Sequence, residues 1–189
     1  MTRILVTGFG PFGRVVDNPS ARLATSAVGV DSVVLPTSFA RAPSMLRAAT
    51  EGKDYDVVLL LGVAEGQPEF GVEQCGRNVV SARIPDVDGA MPVGVVVEGA
   101  PEVIAVTLDV ARVHGALRAP SRLSDSAGTY VCNALLFHAL HAAVAPRVGF
   151  LHVPPDERTL ATPSPHTMSF ERQSAVLARV IDALRTMPR

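Results

Sequence analysis

The chain has 189 residues, 48% hydrophobic and 19% charged. At roughly 150 residues per domain, one domain over residues 1–189 with one large core is expected, and a disordered chain is excluded. Lys plus Arg number 17 against 18 Asp plus Glu, a formal net charge of −1, so no global cationic field draws in nucleic acid or an anionic membrane. The apolar run Val57 to Leu61 ends at Gly62, far short of the ~20 residues a membrane span needs. The apolar stretch after Met1-Thr2-Arg3 is too short for a signal peptide, so a cytosolic protein is expected. Two cysteines, Cys75 and Cys132, build neither a disulfide framework nor a four-cysteine zinc site. Free thiols follow.

Arg3 to Thr7 reads as a buried strand, because aliphatic and β-branched residues run without alternation. A glycine-rich loop, Gly8 to Asp17, precedes a helix opened by the cap Asn18 and by Pro19. Ser32 to Pro36 reads as a strand, Ala42 to Gly52 as a helix, and Asp56 to Leu61 as the strongest strand. This β-α-β-α-β order predicts a mostly parallel sheet with helices on both faces. Val72 to Ala82 reads either as one long strand or as an excursion outside the main sheet. Ile84 to Gly94, with Pro85, Gly89, Pro92 and Gly94, reads as loop. Val103 to His114 is a helix candidate and Arg122 to Ser126 a strand candidate. After the turn Ala127-Gly128-Thr129, Val131 to Val144 reads as a helix and Val148 to Val153 as a strand. Thr162 to Thr167 reads as a Pro/Ser loop. Phe170 to Leu184 carries Leu177, Val180, Ile181 and Leu184 at core-stripe spacing.

Ligands of open α/β sheets bind beyond the carboxyl ends of the strands. Gly8-Phe9-Gly10-Pro11-Phe12-Gly13 formally matches a dinucleotide fingerprint. However, the helix cap comes late, at Asn18, and no acid ends the second strand. Phe9 and Phe12 instead serve either as apolar pocket walls or as core plugs. Cys132 stands at the start of a helix, where the dipole and unpaired N–H groups favour a thiolate; the alternative is a buried small hydrophobe. Cys75, on a strand with no helix behind it, reads as inert. His152, near the end of a short apolar strand, suits a general base for a nearby thiol; the alternative is a satisfied core histidine. Glu73, Asp86 and Asp88 are candidates to orient it, and the sequence does not choose among them. His138 and His141 share a helix face with no further ligand placed beside them, and His114 and His166 converge on nothing.

Several segments together resemble the pyroglutamyl peptidase I family of cysteine peptidases. They are Thr7 to Gly13 with Asn18-Pro19-Ser20; Val72-Glu73 with Asn78; Ala82-Arg83-Ile84-Pro85-Asp86 with Gly89; Ala127-Gly128-Thr129 with Val131-Cys132-Asn133; and Gly149 to Pro154. They fall in the family's order from residue 4 to about residue 185. The resemblance implies a three-layer α/β/α sandwich with a mixed, mostly parallel sheet. It implies an enzyme that removes an N-terminal pyroglutamyl residue from peptides with blocked N-termini, with no metal or other cofactor. It puts the nucleophile on Cys132, the base on His152, the third triad member on Glu73 and an arginine near the scissile carbonyl on Arg83. It puts substrate-binding positions on Phe9, Phe12, Asn18, Val63, Ile84, Tyr130 and Val131. Family members form dimers or tetramers, which implies a homo-oligomer.

Departures from the family pattern bear on the substrate. Val63 stands where the family has a glutamine able to bond the lactam, and a carboxylate enters at Glu65. Val87-Asp88 replaces Asn-Glu, Ala134 replaces a histidine, and Pro155-Asp156 replaces an aromatic or apolar pair. Material is missing around Val97 to Val106. A thiol amidase with another N-terminal or lactam substrate, its amine paired by Glu65, is the alternative function; a non-catalytic relative is the second.

Overall fold

The computed structural model describes residues 2–161 and 167–187. The Pro/Ser loop expected over Thr162 to Thr167 and His166 thus fall almost wholly outside the described residues. In chain order the elements are β1 (Ile4–Phe9), α1 (Pro19–Ser26), β2 (Asp31–Leu35), α2 (Arg41–Thr50), β3 (Val57–Val63), β4 (Phe70–Glu73), β5 (Cys75–Arg77) and β6 (Val80–Ser81). They continue with β7 (Val93–Gly94), β8 (Val103–Ala105), α3 (Val110–Leu117), β9 (Ser121–Ser124), α4 (Val131–His141), β10 (Arg147–Val153) and α5 (Phe170–Arg185).

Six strands form the central sheet in the order β2-β1-β3-β10-β4-β9. Neighbours run parallel except β10 and β4, which are antiparallel. The sheet is therefore mixed and mostly parallel. Its central strands β1, β3 and β10 are buried and largely apolar on both faces, as a sheet covered on both sides requires. Along β3, Val57, Leu59 and Leu61 join one core with Leu23, Val113, Val176 and Ile181 of α1, α3 and α5. Val58 and Leu60 join the other with Leu46, Leu135 and Leu136 of α2 and α4. The period-2 alternation thus splits each central strand between two helical layers, giving the α/β/α sandwich.

One expectation is corrected, and of two open readings the excursion is the one observed. Val103 to His114 is not one helix: Val103-Ile104-Ala105 pairs with β5 as strand β8, and the helix starts only at Val110. Asp109 sets that start by accepting the Arg112 N–H, while β-branched residues upstream find a strand partner. Val72 to Ala82 is not one strand. β4 stays in the central sheet, whereas β5 and β6 pair outside it with β8 and β7. The buried Asn133 fixes this excursion to α4. Its Oδ1 accepts the Arg77 N–H at 2.9 Å, and its Nδ2 donates to the carbonyls of Arg77 and Val79 at 2.8 and 2.9 Å.

β1 also runs further than expected, through Gly8 and Phe9, so the glycine-rich loop begins at Gly10. Gly8 is where α1 crosses closest: a Cβ there would lie 2.1 Å from the Ser20 carbonyl oxygen.

Candidate functional site

The site lies at the carboxyl ends of β1, β3 and β10. Alternation along β10 sends Leu151 and Val153 to the α1/α5 core and leaves His152 on the α4 face, beside Phe150 at a ring distance of 4.7 Å. On β4, Phe70 and Val72 likewise join the α1/α5 core, so Glu73 lies on the same face as His152. His152 Nδ1 and Glu73 Oε1 are 2.8 Å apart, and the Glu73 side chain is wholly buried. Of the three acids considered, only Glu73 meets this imidazole. Asp86 instead accepts the N–H groups of Phe39, Asp88 and Ala90 at 2.8 to 2.9 Å, and Asp88 pairs with Arg41.

Cys132 occupies the first turn of α4, after Gly128 turns the chain at φ +85°. The N-cap residue Tyr130 supplies no side-chain cap. The first N–H groups of a helix have no partner inside it, so an uncapped first turn keeps donors beside the sulfur. Gly62, at the end of β3, makes room for it: a Cβ there would stand 2.9 Å from Cys132 Sγ and 2.8 Å from Phe150 Cζ. Burial depresses the His152 pKa, but hydrogen bonding to Cys132 and to Glu73, with the negative charge of each, raises it to about 9. Burial pushes the Glu73 carboxyl up, yet the hydrogen bond and charge of His152 outweigh it, and the carboxyl titrates below its ordinary value. The buried Glu73 carboxylate and the His152 imidazole, from two distant stretches, therefore favour each other's charged form.

An aromatic group stands at the mouth. Tyr130 packs edge-on to Phe39 at 5.2 Å and near Phe12 at 5.9 Å, and its hydroxyl donates to the Pro85 carbonyl at 2.9 Å. Burial, then the charges of Asp86 and Cys132, push the Tyr130 phenol up to about 12. Ile84, exposed, approaches Gly13, so this loop closes over the glycine-rich segment. Phe39 escaped notice in the sequence, although its type is scarce and it follows a strand end.

The remaining predicted positions divide. Phe9 and Val131 are at most 1% exposed and belong to the α2/α4 core. Val63 lies in the opposite core. Asn18 is spent on structure: it caps α1 through Ser20 and donates to the Gly10 carbonyl at 3.1 Å. Arg83 is exposed and meets no polar partner among the described residues. Glu65 is already paired, with Arg14 Nε of the glycine-rich loop at 2.5 Å. The Asp156 carboxylate is wholly buried and ion-paired with Arg22 of α1. Cys75 is buried, points its thiol at the Asp125 carbonyl, and has its pKa raised by burial. Among the described residues no group of three His, Cys, Asp or Glu side chains could hold a metal ion, and no helix is long and apolar enough to cross a membrane.

Comparison with known proteins gives one answer. The sequence model of the pyroglutamyl peptidase family matches residues 2–186. A pyrrolidone-carboxylate peptidase of Staphylococcus saprophyticus is 34% identical, covering 96% of this chain and 92% of the relative. Another from Thermococcus kodakarensis is 37% identical over 86% of both chains. Among solved structures, the pyrrolidone carboxyl peptidase from Thermococcus litoralis superposes with a TM-score of 0.89 at 30% identity, covering 98% of this chain and 94% of that one.

Proposed function

The chain belongs to the pyroglutamyl peptidase family, and from that premise we propose that it removes an N-terminal pyroglutamyl residue from peptides through Cys132, His152 and Glu73. The observation that carries the reading is the buried 2.8 Å contact between His152 Nδ1 and Glu73 Oε1, with the Cys132 sulfur against Gly62, the β3 residue paired with His152. Glu73 orients the ring and stabilises its cationic form. His152 takes the thiol proton, and the thiolate attacks the carbonyl carbon that joins the pyroglutamyl ring to the next residue.

The tetrahedral oxyanion meets the Cys132 N–H at the open first turn of α4, with Arg83 supplying charge from the neighbouring loop. One such donor is worth about 3 kcal/mol. His152 then protonates the departing amine and the C–N bond breaks, leaving a thioester on Cys132. Water, deprotonated by His152, attacks that thioester. Pyroglutamate leaves, and the thiol is restored. Every step uses side chains of this protein, and no cofactor enters.

The pyroglutamyl ring is small, flat and uncharged. The wall formed by Phe12, Phe39 and Tyr130 suits it, with Ile84 at the rim and Phe9 and Val131 in the α2/α4 core; Val63 belongs to the opposite core. Asn18 acts by holding the Gly10 loop. A cationic N-terminus is costly to desolvate without a counter-charge. Arg14 occupies the Glu65 carboxylate, which favours the blocked substrate over a free amine.

Cys132, His152 and Glu73 come from α4, β10 and β4 of one sheet and its covering helices, which supports a single domain over residues 1–189. Free thiols suit a reducing, cytosolic setting. Exposed Val87, Met91, Val93 and Val95 on the β6–β8 excursion support association of copies into a dimer or tetramer. Release of a fluorophore from a pyroglutamyl amide tests the activity. Retention by Cys75→Ala with loss in Cys132→Ala is the expected result, and a Cys132→Ala protein that still cleaves refutes the assignment.

A further inference from the structure

The registers of the strands beside β4 fix what flanks its Gly71. Gly71 pairs with His152 of β10 on one side and with Arg122 of β9 on the other. Paired residues share a face of the sheet. His152 and Arg122 therefore stand on either side of a position that has no side chain. A Cβ built on Gly71 would lie 3.4 Å from Glu73 Oε1, 3.4 Å from the His152 Cβ and 3.7 Å from Arg122 Nη2. The absent side chain leaves a slot in which the Glu73 carboxylate lies between the imidazole and the guanidinium.

Both partners across this slot are incompletely served. Glu73 Oε2 is buried with no hydrogen-bond partner, and so is Arg122 Nε. Arg122 Nε has Glu69 Oε1 at 3.7 Å, beyond hydrogen-bonding distance. A buried carboxylate keeps its charge only where opposite charge or donors offset the loss of water. His152 supplies a donor, and a positive charge only while its ring is protonated. An arginine stays charged throughout the working range of an enzyme.

We propose that Arg122 is a positioning residue for the reaction: from across Gly71 its guanidinium keeps Glu73 ionised, and so keeps His152 oriented toward Cys132. The inference rests on the reading of Cys132, His152 and Glu73 as the reacting groups, and Arg122 itself touches neither sulfur nor substrate. The titratable and charged groups around Glu73 are His152 from β10, Arg122 from β9 and Cys75 from β5, with Cys132 of α4 acting through His152. After His152, Ser124 of β9 and then the charge of Arg122 draw the Glu73 carboxyl down, although the Ser124 hydroxyl is directed at the Ser126 carbonyl at 3.2 Å.

The test is a pH profile in the Cys75→Ala background, read two ways: kcat/KM on a pyroglutamyl amide, and the rate of Cys132 alkylation by iodoacetamide. Arg122→Gln is expected to move the acid limb of both profiles upward by about one pH unit. On that limb the rate falls about tenfold, and the alkaline limb stays in place. Arg122→Lys, which keeps the charge, restores most of the shift. Circular dichroism and thermal melting confirm that each variant is folded. A uniform fall at every pH, or a lysine variant no better than glutamine, overturns the inference. If wild-type Cys132 alkylates no faster than an ordinary thiol at any pH, the triad reading itself fails and takes this inference with it. An active wild type with unmoved Arg122 variants sinks this inference alone.

Discussion

Cys75 lies against α4 and Cys132 within it, and the two thiols differ in what surrounds them. Cys75 sits on β5, whose Gly76 backs onto Phe137 of α4: a Cβ there would lie 3.0 Å from the Phe137 Cα. Its thiol meets only a backbone carbonyl, and burial raises its pKa. Cys132 stands in the uncapped first turn of the same helix, its sulfur by Gly62, the β3 residue paired with the histidine that Glu73 holds. Burial alone therefore does not decide reactivity. What differs is the partner: an acceptor with no proton-transfer role in one case, an imidazole backed by a carboxylate in the other.

The largest effect expected is on that contrast itself. Cys132→Ala should lower kcat/KM on a pyroglutamyl amide by about 10⁴-fold or more, whereas Cys75→Ala should leave it within twofold; steady-state assays of both measure this. Glu73→Gln removes the charge behind His152 and should cost about 10²- to 10⁴-fold in kcat. Equal activity in Glu73→Gln and wild type would mean the carboxylate only fills space. Gly62→Ala should cost about 10²-fold, because its Cβ would crowd the sulfur and the Phe150 ring. A crystal structure of that variant should show Sγ displaced.

Smaller effects concern pH. The His152 pKa is raised to about 9, above its ordinary value of roughly 6.5. Stability from its partners is thus fully present below about pH 6.5 and lost as pH rises through about 9. Glu73 has the opposite sign: its contribution is present above the ordinary carboxylate range and is lost as acid protonates it. In Cys132→Ala one raising partner is gone, so His152, followed by NMR, should titrate at lower pH than in wild type. The smallest effect belongs to Glu65→Gln at the rim. Breaking its partly exposed pair with Arg14 should change stability by about 0–1 kcal/mol, read from a denaturant midpoint.

Much of this site is legible in the sequence because its signals are local. Asn18-Pro19 marks the start of α1, the turn around Gly128 marks the start of α4, and an apolar run ending in His152 marks a central strand. What sequence reading leaves open depends on pairing across the sheet. Glu73, Asp86 and Asp88 are equivalent until strand order is known; the antiparallel register of β4 on β10 brings only the first to His152. The stretch from Val103 resembles a helix until β5 offers it an edge. Arg122 reads as a charged residue opening a strand, and only its register with Gly71 brings it beside Glu73. The separation of Phe9, in the core, from Phe12, near Tyr130, likewise follows from β1 running two residues past Thr7.

β10, the last strand among the described residues, lies in the middle of the sheet between β3 and β4. During synthesis, β3 and β4 therefore emerge with bare, apolar edges that stay unmatched until residue 153 has left the ribosome. Such edges invite pairing with other chains. The nascent polypeptide thus passes through an aggregation-prone stage, and it already carries Cys132 and Glu73 with no imidazole between them. The three side chains of the candidate site thus come together only when the sheet closes, and until then the chain is chiefly a sticky fragment.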